Sequence, residues 1–122
     1  MQEVSTLVIQ AQSDLYEVRK MIHKIGFFIE KEKFCMDAGK PYLVMRAVRG
    51  EEKTPYEPAE YEYGRLLPEV SDTAYRKFLL DERDKKMKLQ ETLNMQKTSG
   101  AGARVEELTE EITGLNWILN KF

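Results

Sequence analysis

The sequence predicts a mainly α protein, an elongated helical bundle with a small inserted β-hairpin. Three observations lead there. Apolar residues in the first third recur in steps of 4 and 3, a short stretch rich in β-formers occupies the middle, and the last third repeats steps of 3 and 4 on either side of a glycine-containing turn. Together these predict one domain over residues 1–122.

In residues 1–38, Val4, Val8, Ala11, Leu15, Val18, Ile22, Ile25 and Ile29 follow the a/d positions of a heptad. Leu7, Met21, Phe28 and Cys35 add a parallel row at g, broken by Asp14. A stripe that wide suits a long bundle helix more than a two-stranded coiled coil, where g carries charge. Asp37-Ala38-Gly39-Lys40-Pro41 supplies the stop, with glycine near the C-cap and proline beyond it.

Residues 41–68 read as a β-hairpin with a long connection. Tyr42 to Val48 is rich in β-formers, and Ala59-Glu60-Tyr61-Glu62-Tyr63 alternates with period two. The stretch between them holds Gly50, Pro55 and Pro58, the composition of a loop. Residues 70–122 read as a helical hairpin. Ser71 or Asp72 is placed to cap a helix running to about Lys97, Thr98 to Gly102 turns the chain, and Arg104 to Phe122 returns with Leu108 facing Leu93 and Ile112 facing Leu89.

Composition narrows the function classes. Charged residues make up 33% of the 122, and 19 basic against 21 acidic residues give a net charge of −2, so no strong overall attraction to nucleic acid or an anionic membrane is expected. One cysteine and one histidine exclude an internal disulfide, a multi-thiolate zinc site and most histidine metal sites. There is no signal-peptide pattern and no apolar run long enough to span a bilayer, so a cytoplasmic location is expected. No HExxH, P-loop, dinucleotide fingerprint or kinase signature occurs. The reading is therefore a non-enzyme with no cofactor and no metal.

Candidate surfaces follow from residue type. Tyr56, Tyr61 and Tyr63 with Glu60 and Glu62 form a Tyr/Glu surface suited to binding another protein, since tyrosine offers rigid area with a polar tip. Phe27, Phe28 and Trp117 fall partly on outer helix positions, suggesting a packing or oligomer surface that a two-fold dimer would bury. His23 falls on a solvent-facing position with no carboxylate one turn away, and Cys35 in the apolar row reads as packing. Arg83, Lys85, Lys86 and Lys88 could meet phosphates, but Asp81–Lys85, Glu82–Lys86 and Asp84–Lys88 are favourably oriented i,i+4 pairs that neutralise the cluster. The function expected is non-catalytic protein–protein interaction: an adaptor, scaffold or inhibitor of the viral or accessory type, self-associating, with nucleic acid not expected as a partner. Two alternatives stand beside it, a nucleic-acid-associated accessory protein using residues 83–88 and a small enzyme with a carboxylate or tyrosine site.

Overall fold

The computed structural model describes residues 4–96 and 101–122. The chain runs β1 (Thr6–Ala11), α1 (Leu15–Lys24), β2 (Phe27–Asp37), β3 (Lys40–Arg49), α2 (Pro58–Tyr63), α3 (Leu66–Glu69), α4 (Thr73–Gln96) and α5 (Ala101–Leu119). The strands form one antiparallel sheet in the order β1-β3-β2. This is an α/β arrangement, which corrects the predicted helical bundle.

The correction has a local cause. A step of 4 is even, so it also keeps a strand residue on one face, as for Val4 and Val8. The remaining steps that suggested a continuous helix bridge turns. Gln12-Ser13-Asp14 interrupts the chain, with Asp14 at φ 55, and Gly26 at φ 86 opens β2. Only Leu15, Val18, Ile22 and Ile25 belong to a true helical stripe, along α1 and its C-cap. Leu7-Val8-Ile9 and Phe27-Phe28-Ile29 are β-branched and aromatic runs that favour strands once the turns are made.

The predicted hairpin over 41–68 is also replaced. β3 pairs with β1 on one side and β2 on the other, whereas Pro58 to Tyr63 is helical. Pro58 sits in the first turn of α2, and the Glu57 N–H donates to Glu60 Oε1 at 2.8 Å, so the helix start is fixed by proline and a reciprocal acidic cap. The actual tight hairpin joins β2 to β3: Asp37 pairs with Lys40, and Ala38 and Gly39 turn at φ 50 and 79. The expected turn at Thr98–Gly102 lies largely outside the described residues.

Ile22 from α1, Ile29 and Phe34 from β2, Leu43, Met45 and Ala47 from β3, and Leu79, Leu115 and Ile118 from the last two helices form the core. Phe27 is part of it, at 5% exposure, and Phe28 is half-buried against Gly50, so neither is the free packing surface that their helix positions suggested. Trp117 does reach the surface, with Lys121 Nζ 4.6 Å from its ring centroid.

One charged pair lies inside this core. Arg19 of α1 is fully buried and donates through Nε and Nη2 to Glu32 Oε1 at 3.0 and 2.7 Å. Its Nη1 donates to the carbonyls of Tyr61 and Glu62 at 2.7 and 3.0 Å, satisfying the C-terminal end of α2. A single guanidinium thus joins α1, β2 and α2. Gly64 closes over it: a Cβ there would stand 2.7 Å from Glu32 Oε2, at φ +94. Replacing Arg19→Met leaves the Glu32 carboxylate buried without its cation. The expected loss is about 3–5 kcal/mol in urea denaturation, with a substantial part recovered in the double variant Arg19→Met/Glu32→Leu.

Candidate functional site

Each outer strand is antiparallel to β3, so β1 and β2 point the same way, with α1 crossing between them. In open α/β sheets, ligands gather beyond the carboxyl ends of such strands. A pocket of ≈ 180 Å³ lies there. Ala11 and Gln12 follow from β1, Phe34 and Leu43 come from the sheet, Tyr63 from α2, and Tyr75, Phe78, Glu82 and Lys86 from α4. Its walls mix aromatic and aliphatic side chains, with Glu62, Glu82 and Lys86 as the charged members. Tyr75 Oη donates to the Tyr63 carbonyl at 2.7 Å, and burial pushes both phenol groups far above the usual tyrosine range. Both phenols are neutral here rather than bases. Lys86 leans across to Glu111 Oε2 of α5 at 3.0 Å and keeps a partly exposed ammonium at the pocket edge.

A second cluster lies on the other side of α2. His23 Nδ1 is 2.9 Å from Tyr61 Oη, and Nε2 is 3.1 Å from Glu52 Oε1, which also accepts the Ile29 N–H at 3.0 Å. Tyr56 packs edge-on against His23, its ring 4.2 Å from the Arg65 guanidinium, and its buried hydroxyl is driven far up by desolvation and by Glu52. Arg65 holds Glu60 Oε2 at 2.6 Å and the Thr54 and Pro55 carbonyls at 2.8 and 2.7 Å. Burial acts to raise the Glu60 carboxyl, but the Arg65 bonds and the Glu57 N–H outweigh it and hold Glu60 below the usual carboxylate range.

The expected Tyr/Glu surface is therefore divided. Tyr56 is buried, Tyr61 serves His23, Tyr63 lines the pocket, Glu60 is tied to Arg65, and Glu62 has its side chain at the surface. His23 is half-buried rather than free. Its orienting carboxylate, Glu52, lies 29 residues away, and helical spacing could not reveal it. In the basic cluster, Lys86 pairs with Glu111 instead of Glu82, and Arg83 donates to Asn116 Oδ1 at 3.0 Å. Lys85 keeps a loose 3.5 Å contact with Glu82, and Lys88 points to solvent with no salt bridge among the described residues. Gln12 at the pocket edge is the functional candidate that spacing rules missed, because a strand end beside a distant helix leaves no local signal; Lys86, named in the basic cluster, lines the same pocket.

These features define an α/β sheet with a crossover helix, a strand-end pocket and an appended helical arm. Solved structures share the fold. The Bacillus subtilis M1A22 tRNA methyltransferase TrmK is 18% identical, with a TM-score of 0.78 over 93% of this chain and 51% of its own. A Streptococcus agalactiae protein of the NADB-Rossmann superfamily is 21% identical, with a TM-score of 0.77 over 97% and 49%. TrmK from M. capricolum, solved with S-adenosyl-homocysteine, is 15% identical, with a TM-score of 0.78 over 99% and 51%. The chain spans about half the length of these proteins. No curated protein sequence matches it. Residues 1–116 match the family model TrmK, tRNA (adenine(22)-N(1))-methyltransferase, and the chain belongs to that family.

Membership corrects several expectations. The family is one of enzymes acting on tRNA, so the reading as a non-catalytic adaptor, scaffold, inhibitor, coiled coil or viral accessory protein is overturned, as is the view that nucleic acid is not a partner. No helix among the described residues is long and apolar enough to cross a membrane.

The cofactor seen with the M. capricolum protein does not fit the residues present. The strand-end pocket is ≈ 180 Å³, against roughly 300–1,000 Å³ for small-molecule sites. Among the described residues no strand enters a helix through a glycine-rich turn able to cradle a nucleotide; β1 enters α1 through Gln12-Ser13-Asp14. No step is assigned through that group here.

The Glu60–Arg65 pair gives a pH prediction. A carboxyl depressed below its ordinary value of 4.5 contributes stability that is complete above that value and is lost as pH falls through the lower folded value. Thermal unfolding should therefore weaken below pH 4.5, and Arg65→Ala should flatten that part of the acid limb while lowering stability at neutral pH by about 1–3 kcal/mol.

Proposed function

We propose that this chain forms the tRNA-facing half of a methyltransferase that transfers a methyl group to N1 of an adenine in tRNA, acting in the cytoplasm. The match of residues 1–116 to the TrmK family carries the reading. The geometry supports it with two features. The pocket beyond β1 offers the Gln12 amide and aromatic faces on Phe34 and Tyr63, a set suited to a splayed-out base. The arm formed by α4 and α5 projects Lys85 and Lys88 where a folded RNA can reach them.

Arg83 and Lys86 are engaged within the arm, so the phosphate contacts fall to Lys85 and Lys88 rather than to the whole cluster. Filter binding of unmodified tRNA over a salt series tests this. Affinity should fall with rising salt, and Lys85→Glu/Lys88→Glu should weaken binding at least tenfold and reduce the log–log salt slope by about one unit per lost contact. Gln12→Ala should weaken binding without changing that slope. Wild-type affinity indifferent to salt, or untouched by the double charge reversal, would overturn the assignment.

A further inference from the structure

We propose that the outer face of α1 is a second RNA-binding element, on which Tyr16 stacks the nucleotide beside the one held in the strand-end pocket and Lys20 and Lys24 meet the phosphates that follow. The inference rests on the reading of the chain as tRNA-binding and adds the path by which the strand leaves the pocket.

The strand-end pocket continues past its own rim. Glu62, Tyr63 and Lys86 line it and also line a neighbouring recess of ≈ 340 Å³ between α1, α2 and α5. Tyr63 is therefore a wall shared by two recesses, and Tyr16 of α1 bounds the second. Gly114 of α5 lines that recess without a side chain; a Cβ there would stand 3.7 Å from Tyr63 Cε2. Glu110 and Glu111 lie on the α5 side, and Lys86 and Arg104 hold Glu111 at 3.0 and 3.6 Å. Glu62 and Glu110 make the recess unsuited to a phosphate but supply acceptors for the N–H groups of a base edge. A half-buried tyrosine ring beside such acceptors suits an unstacked nucleobase.

Beyond Tyr16 the surface changes sign. A groove of ≈ 670 Å³ runs along α1 past Lys20, Lys24 and Tyr61, with Glu17 as its one carboxylate. Tyr16 joins recess to groove: its ring centroid lies 5.5 Å from that of Tyr61 and 5.4 Å from Lys20 Nζ. Lys20 and Lys24 are exposed and one helical turn apart, about 6 Å along the axis. Neither forms a salt bridge among the described residues, with Glu17 or any other carboxylate. Uncompensated lysines that follow an aromatic platform are the pattern of single-strand binding surfaces, where charge follows the backbone and rings stack the bases. The platform is also rigid. Tyr61 Oη lies 2.9 Å from His23 Nδ1, and Arg19, the neighbour of Lys20, is locked to Glu32 in the core, so α1 holds its lysines outward.

The test is filter binding of unmodified tRNA to the full chain over a salt series, with the arm variant Lys85→Glu/Lys88→Glu alongside and circular dichroism checking that each variant is folded. Lys20→Gln/Lys24→Gln should flatten the log–log salt slope by about 0.7 per lysine, the single-strand value. Tyr16→Ala should weaken binding about fivefold to a hundredfold with the slope unchanged, and Tyr16→Phe should keep wild-type affinity, because stacking needs the ring and not the hydroxyl. Gly114→Leu, a change that suits a helix and fills the recess, should weaken binding as Tyr16→Ala does. Wild-type affinity and slope in the lysine pair, or wild-type affinity in both recess variants, while the arm variant loses binding, would overturn this proposal and leave the tRNA reading in place. Tyr16→Phe as weak as Tyr16→Ala would overturn the stacking role. A chain that does not bind tRNA at all would overturn both readings. A lysine pair that changes the sedimentation mass but not tRNA binding would assign the face to a second copy and overturn the RNA assignment.

Discussion

The buried Arg19 guanidinium is the constraint on which the rest of the structure depends. It is held by one carboxylate and two backbone carbonyls, so α1, β2 and the end of α2 cannot shift independently. A buried pair of this kind adds little net stability compared with apolar packing, but it penalises any arrangement that separates its members. That penalty fixes where α2 ends, and therefore where Tyr63 enters the strand-end pocket and Tyr61 meets His23. Glu32 Oε2 remains without a hydrogen-bond partner in the same enclosure, so the site is specific at some energetic expense.

Around this anchor the molecule divides into two working surfaces. At the carboxyl end of β1, aromatic and aliphatic walls and one lysine make a small recess whose phenols are kept neutral by burial. On the far side of α2, Glu52, His23, Tyr61, Tyr56 and Arg65 form a closed polar and aromatic network that ties the loop after β3 to α1. The first faces outward and offers groups to a ligand. The second is turned inward, with only the buried Tyr56 hydroxyl of the group left without a partner, and acts as a brace.

Part of the fold was legible in the sequence. The 3-and-4 spacing from Val105 to Leu119 coincides with α5, and α4 ends near the turn residues that marked it. The first third was misread because apolar steps of 4 serve a strand and a helix alike, and because a turn at Asp14 with positive φ has no strong residue signature. Glu60-Tyr61-Glu62-Tyr63 alternates like a strand, but proline at the helix start and the Glu57–Glu60 cap decide for helix. The site was harder still. His23 with Glu52 and Arg19 with Glu32 are contacts across the fold, and Gln12 and Lys86 line one pocket from distant elements; no local period encodes any of these. The family itself was not visible from motifs, since residues that build an antiparallel sheet end and a helical arm carry no nucleotide-binding fingerprint.

The central claim is that the strand-end pocket and the α4–α5 arm of this chain engage tRNA and do not hold the methyl donor. Calorimetric titration of the 122-residue chain with each ligand in turn measures it directly. Saturable heat with unmodified tRNA and none with S-adenosylmethionine is the predicted outcome. Saturable binding of S-adenosylmethionine to this chain, with no response to tRNA, would contradict it.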